Sequence, residues 1–240
     1  GGNQKRPGTY FYDNMQMGLN IIHQCMLNKI EKLILICSIC GFPKFTQVPF
    51  RESDLWNGYP EETNAPYGIA KRSLAEMAKA YYKQYGLVTV CLFPTNSFGP
   101  NDTFKGEDNH VIPALIKKFD TAIKNDDNIV TLWGSGKPTR EFLYVDDFCD
   151  AIIAAMKYGK NPEPINIGTG QEISIKDLSE LISDKMGYKG KIVWDQTKPD
   201  GQPRRCLDVT KAYNELGFVA KTSLSDGLDK TIKWYKENEH

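Results

Sequence analysis

The sequence has no excess of either charge and no long hydrophobic run. Its 30 lysines and arginines balance 30 aspartates and glutamates, so it lacks an overall basic field that would attract nucleic acid or an anionic membrane surface. No apolar run is long enough to span a bilayer, and the residues from Gly1 to Pro7 lack the apolar core of a secretory signal. We therefore expect a cytoplasmic protein that binds neither nucleic acid nor membranes.

Regularly spaced cysteines are also missing. The six cysteines are scattered rather than paired at short fixed spacings, and most lie in apolar stretches where a thiol behaves as a small hydrophobic group. We expect reduced thiols, with no disulfide framework and no zinc site. The six are Cys25, Cys37, Cys40, Cys91, Cys149 and Cys206.

The sequence does contain a regular alternation of two hydrophobic patterns. Stretches with apolar residues at helical spacing alternate with compact apolar runs typical of strands buried on both faces. Helices are predicted at 10–28, 66–85, 111–124, 146–158, 175–186 and 224–236, and strands at 33–37, 87–93, 129–132, 141–144 and 165–167. This order predicts an α/β fold with a mainly parallel sheet, because parallel neighbours need crossover connections. Ligands of such sheets bind beyond the carboxyl ends of the strands.

The most specific motif combines Tyr67 and Lys71 with Ser38, which follows a buried strand. Residues four apart share one face of a helix, so the phenol and the ammonium point into the same cleft. The lysine is expected to lower the pKa of the tyrosine toward a range useful for proton transfer. Taken alone, Tyr-x-x-x-Lys is more often a half-buried tyrosine beside a solvated lysine. Its placement between two buried strands favours proton transfer at a hydroxyl or carbonyl carbon while a nicotinamide exchanges hydride.

Longer stretches carry a resemblance to a known family. They read NQKRP at 3–7, ETNAPYGIAK at 62–71, PTNSFGP at 94–100, HVIPAL at 110–115, WGSGKPTREF at 133–142 and KPDG at 198–201. On these the chain resembles, nearly end to end, the GDP-L-fucose synthases, which are epimerase/reductases of the extended short-chain dehydrogenase/reductase type. The resemblance implies conversion of the nucleotide sugar GDP-4-keto-6-deoxymannose to GDP-L-fucose, with NADP(H) as cofactor.

The resemblance also implies a domain organisation. It predicts a Rossmann-like doubly wound parallel sheet, truncated at its N-terminal side, with a smaller α/β substrate-binding domain. Residues 1–105 would form the remainder of the NADP-binding domain and 106–240 mainly the substrate domain, with about 141–170 returning to the first sheet. The sequence has no glycine-rich turn between a strand and a helix, so we expect roughly 60 to 80 residues of the family pattern to lie outside it.

Individual roles follow from the same resemblance. Ser38, Tyr67 and Lys71 correspond to a reductase triad in which Tyr67 protonates the oxygen at carbon 4 as hydride arrives. Cys40 and His110 match an epimerisation pair, since inversion beside a ketone needs one group to abstract a carbon-bound proton and another to deliver one from the opposite face. The residues implied to contact the cofactor are Cys37, Ile39, Lys71, Pro94, Thr95, Asn96, Ser97 and His110. Those implied to contact the substrate are Lys118, Trp133, Arg140 and Asp200.

Several alternatives remain open from the sequence. Seen singly, Cys40 would be a buried structural cysteine, His110 a helix-start residue and Trp133 a core residue. A related nucleotide-sugar 4-epimerase or 4,6-dehydratase would share Tyr67 and Lys71 without calling for the Cys40 and His110 pair. A protein of a different class, an inactive remnant, would only bind nucleotide sugar or oligomerise. The resemblance also implies a homodimer formed through the helix that carries Tyr67 and the helix before it.

Overall fold

The computed structural model describes residues 5–105 and 109–239. Residues 3 and 4 of the first family-like stretch lie outside the described residues, and so does residue 106, at which the second predicted domain begins. Every residue to which the sequence assigned a catalytic or binding role lies inside the described ranges.

Helices and strands alternate along the chain as the hydrophobic pattern predicted. The helices are α1 (Pro7–Leu27), α2 (Ala65–Tyr85), α3 (Val111–Lys124), α4 (Val145–Tyr158), α5 (Ile175–Met186), α6 (Thr210–Leu216) and α7 (Leu224–Asn238). The strands are β1 (Lys32–Ile36), β2 (Val88–Pro94), β3 (Asn96–Phe98), β4 (Ile129–Trp133), β5 (Thr139–Tyr144), β6 (Ile165–Ile167), β7 (Glu172–Ser174) and β8 (Lys191–Asp195). Two short 3-10 helices, Ile39–Gly41 and Glu52–Trp56, lie between β1 and α2.

The first sheet has the parallel order β1-β2-β6, and helices cover both of its faces. Successive side chains of a strand point to opposite faces. Accordingly, Cys91 and Phe93 of β2 pack in a core with α1 and α2, whereas Val90 and Leu92 pack in a core with α4 and α6. Burial on both faces explains why the strand reads as a continuous apolar run. The predicted α/β class with a doubly wound parallel sheet is confirmed.

The other strands form two smaller sheets. β3 pairs in parallel with β5, β5 pairs antiparallel with β7, and β4 pairs in parallel with β8. Helices α3, α5 and α7 pack against these strands around a third hydrophobic core that includes Phe104, Ile116 and Phe119. Only Thr95 separates β2 from β3. The chain therefore passes directly from the first sheet into the second at the carboxyl end of β2.

Three strands and one helix were not predicted from the sequence. β3 and β7 contain three residues each, which is too few to display the two-residue period of a strand. The five-residue β8 is nowhere fully buried and forms only by pairing with β4. Helix α6 has seven residues, about two turns at 3.6 residues per turn, so its apolar spacing is too short to stand out. Tertiary pairing rather than local pattern determines these elements.

A buried carboxylate connects the two larger sheets. Glu141 on β5 has no exposed surface, and its carboxylate accepts hydrogen bonds from the backbone N–H groups of Thr169 at 2.5 Å, Gly170 at 2.7 Å and Leu207 at 2.8 Å. The Glu141 carbonyl oxygen accepts a further hydrogen bond from the Thr95 hydroxyl at 3.1 Å. Burial raises the pKa of the Glu141 carboxyl, and the three N–H bonds oppose this rise. Segments from four parts of the chain thus meet around one residue.

The described residues also bear on the predicted environment of the protein. No helix in 5–105 or 109–239 has both the length and the apolar character needed to cross a membrane. All six cysteines carry free thiols. Within the same ranges, no group of three or more histidine, cysteine, aspartate or glutamate side chains is placed to hold a metal ion.

The sheet core yields a stability prediction. Phe93→Ala is expected to lower the free energy of unfolding by about 3–5 kcal/mol, because Phe93 has no exposed surface and its removal leaves a cavity between sheet and helices. Phe45→Ala is the matched control, since the Phe45 side chain is 89% exposed, and it should change stability by no more than about 0.5 kcal/mol. Urea unfolding measures both. Equal losses in the two variants would contradict this placement of the core.

Candidate active site

A single tight turn carries two of the predicted catalytic residues. After β1 ends at Ile36, the chain passes through an extended Ser38 into the 3-10 helix Ile39–Gly41. The Ser38 hydroxyl accepts a hydrogen bond from the Cys40 N–H at 3.2 Å and so caps the turn. The Ser38 and Cys40 side chains are both half-buried. The hydroxyl and the thiol therefore lie together at the carboxyl edge of the first sheet.

Helix α2 brings Tyr67 and Lys71 to the same edge. Its first turn contains Pro66, at a position where backbone N–H groups have no partner within the helix, and it ends at Gly86 in the left-handed conformation. The Lys71 ammonium lies 5.7 Å from the centre of the Tyr67 ring. It donates a hydrogen bond to the Ile36 carbonyl at 3.1 Å. This bond fastens the helix to the end of β1.

The Tyr67 phenol is harder to ionise than the sequence predicted. Burial raises the pKa of Tyr67 to about 12, and the nearby Cys40 thiol adds to the rise while the Ser38 hydroxyl opposes it. The predicted lowering by Lys71 is therefore wrong. Burial also lowers the pKa of the Lys71 ammonium, which donates to a backbone carbonyl rather than to the phenol. Tyr67 is consequently protonated at neutral pH.

A cavity of about 300 Å³ lies where β3, β4, β5 and the start of α3 converge. Apolar residues such as Phe98, Pro138 and Ile175 form part of its wall. An apolar wall with a few convergent polar groups is typical of small-molecule sites. Six residues with predicted binding or catalytic roles line the cavity, namely Asn96, Ser97, His110, Trp133, Arg140 and Asp200.

His110 stands at the rim of this cavity. It precedes the first residue of α3, and its side chain is 79% exposed. Its Nδ1 lies 3.6 Å from an oxygen of Asp102, and this carboxylate raises the pKa of the imidazole. Asp102 thus favours the imidazolium, the form that can deliver a proton. Nothing in the sequence pattern marked Asp102, because its proximity to His110 depends on the folded loop.

Two arginines stand close to the Cys40 thiol. Burial and the neighbouring Arg205 lower the pKa of Arg140 to about 10, with an opposing effect from Cys40. Arg205 was not predicted, yet its Nη1 lies 3.8 Å from the Cys40 sulfur. The sequence signal that points to Arg205 is its position shortly after the family-like stretch at 198–201.

Asp200 is engaged in hydrogen bonds within the protein, whereas the Trp133 ring is exposed to solvent. The Asp200 carboxylate already accepts hydrogen bonds from the Ser135 N–H at 2.6 Å and the Ser135 hydroxyl at 2.7 Å, and these bonds lower the pKa of Asp200. The Trp133 ring is 70% exposed, with the Lys198 ammonium 5.7 Å from its centre. Trp133 is therefore not a core residue, and its ring offers a flat surface to a ligand.

Lys118, Cys37 and Ile39 place their side chains neither at the carboxyl edge of the first sheet nor in the cavity of about 300 Å³. Lys118 donates a hydrogen bond to the Thr131 carbonyl at 2.7 Å and lines a second cavity of about 530 Å³ rather than the first. The Cys37 and Ile39 side chains are almost fully buried and belong to the core under α1 and α2. Only the backbone of Cys37 and Ile39 can therefore face a cofactor.

The junction between β2 and β3 holds the remaining predicted residues. Pro94 and Thr95 are buried, whereas Asn96 and Ser97 are half-buried. The Asn96 amide donates a hydrogen bond to the Glu141 carbonyl at 2.9 Å, beside the bond from the Thr95 hydroxyl. This pair of bonds fixes the direction in which the chain leaves the first sheet.

Comparison with known proteins identifies relatives of the whole chain. The model of the NAD dependent epimerase/dehydratase family matches residues 1–168. A GDP-L-fucose synthase of Escherichia coli K12 is 41% identical over 246 residues, which cover 99% of this chain and 76% of that protein. GDP-L-fucose synthase 1 of Arabidopsis thaliana is 41% identical over 236 residues, covering 98% of this chain and 73% of its own.

Solved structures give the same relationship. A GDP-L-fucose synthetase from Naegleria fowleri bound to NADP superposes with a TM-score of 0.90 at 30% identity, covering 96% of this chain and 74% of that structure. A GDP-6-OMe-4-keto-L-xylo-heptose reductase from C. jejuni superposes with a TM-score of 0.92 at 28% identity, covering 100% of this chain and 80% of that structure. The fold is thus that of reductases acting on GDP-linked sugars.

The buried phenol yields a titration prediction. The difference between the ultraviolet spectra of wild type and Tyr67→Phe should show phenolate absorbance near pH 12 rather than near pH 10. Because the folded pKa is raised, the stability that Tyr67 contributes is present below about pH 10 and is lost as the pH rises toward 12. Tyr12→Phe is the control, since that side chain is exposed. A Tyr67 signal at pH 10 or below would contradict the burial effect.

Proposed function

Because the chain belongs to the NAD-dependent epimerase/dehydratase family, we propose that it converts GDP-4-keto-6-deoxymannose to GDP-L-fucose by epimerisation and NADPH-dependent reduction. The observation that carries this proposal is the turn that presents Ser38 and Cys40 together beside Tyr67 and Lys71. Reduction alone uses the phenol and the ammonium. A thiol in the same place adds a base for a carbon-bound proton, which a 4-epimerase or a 4,6-dehydratase does not call for.

NADP(H) fits the residues at the carboxyl edge of the first sheet. Lys71 gives one hydrogen bond to the Ile36 carbonyl, and an ammonium has three donors, so two remain for the hydroxyl groups of a ribose. The segment from Pro94 to Ser97 and the backbone at Cys37 and Ile39 would complete this side of the site. When bound, NADPH supplies hydride to carbon 4 of the sugar.

Cys40 and His110 supply the two proton transfers of epimerisation. Cys40, with the Arg205 guanidinium beside its sulfur, acts as the base that takes a proton from a carbon next to the ketone. His110, whose pKa is raised by the carboxylate of Asp102, returns a proton to the opposite face of the same carbon. The ketone oxygen carries the negative charge between the two steps, and the net result is inversion without oxidation or reduction.

Tyr67 supplies the proton of the reduction. Its raised pKa keeps the phenol protonated until negative charge develops on the oxygen at carbon 4. The phenol then gives its proton to that oxygen, and the Lys71 ammonium stabilises the resulting phenolate. Ser38, whose hydroxyl lies beside the phenol, holds the sugar oxygen in line for this transfer.

The cavity and its surroundings suit a GDP-linked sugar. Arg140 offers a guanidinium to the diphosphate, since Arg–phosphate contacts can be bidentate. The exposed Trp133 ring offers a stacking surface, and Asp200 keeps lone pairs for sugar hydroxyl groups beyond its bonds to Ser135. Lys118 of α3 donates a hydrogen bond to the Thr131 carbonyl of β4, the strand that carries Trp133, and there it can meet a phosphate or the nucleoside.

The location and the assembly of the protein follow from the same proposal. We place it in the cytoplasm, where the six free thiols stay reduced. We also propose a homodimer formed through α1 and α2, which pack against each other. Both helices expose large apolar side chains to solvent, among them Tyr12, Leu19, Tyr82 and Tyr85. We propose that these side chains are covered in the dimer, because exposed apolar patches mark interfaces.

Light scattering after size exclusion tests the homodimer. The wild-type protein should have twice the 27.2 kDa mass of the chain, and Tyr82→Glu should reduce this to a single chain because a buried unpaired carboxylate disfavours association. Tyr213→Glu is the matched control, since Tyr213 is exposed on α6, away from the proposed interface. A wild-type protein with the mass of one chain would refute the homodimer.

Deuterium exchange tests the proposed chemistry. In D2O, the protein should incorporate deuterium into GDP-4-keto-6-deoxymannose at the carbons flanking the ketone. Cys40→Ala should slow this exchange by about 10²–10⁴-fold, whereas Tyr67→Phe should keep exchange but lose NADPH oxidation. Cys149→Ala, which removes an exposed thiol, is the control.

The reaction products distinguish the alternatives. GDP-L-fucose from keto sugar and NADPH supports the proposal, whereas an epimer formed without NADPH consumption or a dehydrated product indicates a 4-epimerase or a dehydratase. Binding of a GDP-sugar with neither exchange nor NADPH oxidation indicates the inactive remnant.

A further inference from the structure

The residue that follows Lys71 is a buried arginine. Arg72 is 9% exposed and reaches the turn Ile39–Gly41 from helix α2. Its Nε and Nη2 both donate to the Gly41 carbonyl, the Nε at 3.0 Å, and its Nη1 donates to the Gly58 carbonyl at 3.0 Å. Its guanidinium carbon lies 5.4 Å from the centre of the Trp56 ring. Arg72 thus joins the end of the turn that carries Cys40 to the loop that follows it.

The Gly41 carbonyl requires such a partner. The last carbonyl groups of a helix find no N–H donor within the helix. Because Gly41 is buried, its carbonyl must accept a hydrogen bond from a donor elsewhere in the protein. A guanidinium presents its N–H groups in a rigid planar fork, whereas a lysine ammonium is a point charge on a flexible stem. Arg72 therefore fixes the direction of the carbonyl as well as satisfying it.

Gly68 lies four residues before Arg72, on the same face of α2. A Cβ atom at this position would overlap the Cys40 carbonyl oxygen and lie 2.9 Å from the Cys40 carbonyl carbon. Both are backbone atoms, so neither can rotate away as the end of a side chain would. The Cys40 backbone therefore rests directly on the helix at Gly68, and the next carbonyl along the chain is held by Arg72.

We propose that Arg72 and Gly68 are positioning residues that lock the Cys40 turn onto the helix bearing Tyr67 and Lys71. The lock keeps the thiol at a fixed spacing from the phenol, although the two come from different elements. The use of that thiol for proton abstraction rests on the proposed function, whereas the lock itself does not. A misplacement of about 1 Å in a reacting group costs on the order of 100-fold in rate, so a loosened turn should be visible in catalysis.

Alkylation tests the lock without reference to activity. The rate at which iodoacetamide modifies Cys40, measured on the peptide by mass spectrometry, is divided by the rate at the exposed Cys149. Arg72→Met should raise this ratio several-fold, because the half-buried Cys40 becomes accessible, and Arg72→Lys should raise it less. Arg51→Met, whose side chain is 72% exposed, is the matched control and should leave the ratio unchanged.

A second measurement links the lock to catalysis. Arg72→Met should slow deuterium exchange into the keto sugar by about 100-fold, with partial recovery in Arg72→Lys, while the affinity for GDP in calorimetry stays at the wild-type value. A general loss of structure would instead weaken GDP binding as well. Should Arg72→Met fail to fold, Arg72→Lys and Gly68→Ala decide the question, since the latter pushes the Cys40 carbonyl off the helix.

The outcomes separate the lock from the proposed function. If the folded Arg72 and Gly68 variants show the same ratio of Cys40 to Cys149 alkylation as the wild-type protein, the lock is overturned. A changed ratio supports it, and if wild-type protein then shows no deuterium exchange, the proposed function fails while the lock stands.

Discussion

Parallel pairing of β1 with β2, in register from Lys32 opposite Val88 to Ile36 opposite Leu92, brings the carboxyl ends of both strands to one edge of the sheet. Ser38, which follows β1, and Thr95, which follows β2, must therefore share that edge. The connecting helix α2 has to run back along the sheet before β2 can begin. Its first turn consequently starts at the same edge, and the candidate active site depends on this geometry.

Glu141 joins this edge to the second half of the molecule. Its carboxylate holds the backbone at Thr169, Gly170 and Leu207, while its carbonyl holds the side chains that follow β2. Arg140, the preceding residue, lines the cavity proposed for the GDP-sugar. Since a buried carboxylate is stable only when its hydrogen bonds are satisfied, the positions of these segments are interdependent. One residue thereby links the junction between β2 and β3 to the segments at Thr169, Gly170 and Leu207.

In the proposed mechanism, the site separates groups that give protons from the group that takes one. Burial raises the pKa of Tyr67, and the carboxylate of Asp102 raises the pKa of His110, so both surroundings favour the protonated form. Cys40 lies instead beside the guanidinium of Arg205. In the proposed mechanism these different surroundings let one site perform acid and base chemistry at the same pH. Arg72 adds a mechanical element, because it ties the turn that carries Cys40 to the helix that carries Tyr67.

The sequence by itself determined the longer helices, the buried strands and the candidate pair of Tyr67 and Lys71, because helical spacing and apolar runs are local properties of the chain. It did not reveal β3, β7 or β8, whose few residues form strands only by pairing with distant partners. Nor did it give the neighbours Asp102, Arg72 and Arg205, which reach their partners only in the folded chain. The error about the Tyr67 pKa has the same origin. Spacing placed a lysine beside the phenol, but in the folded chain that lysine donates to the Ile36 carbonyl, and burial, which exists only once tertiary packing removes water, raises the pKa of the phenol.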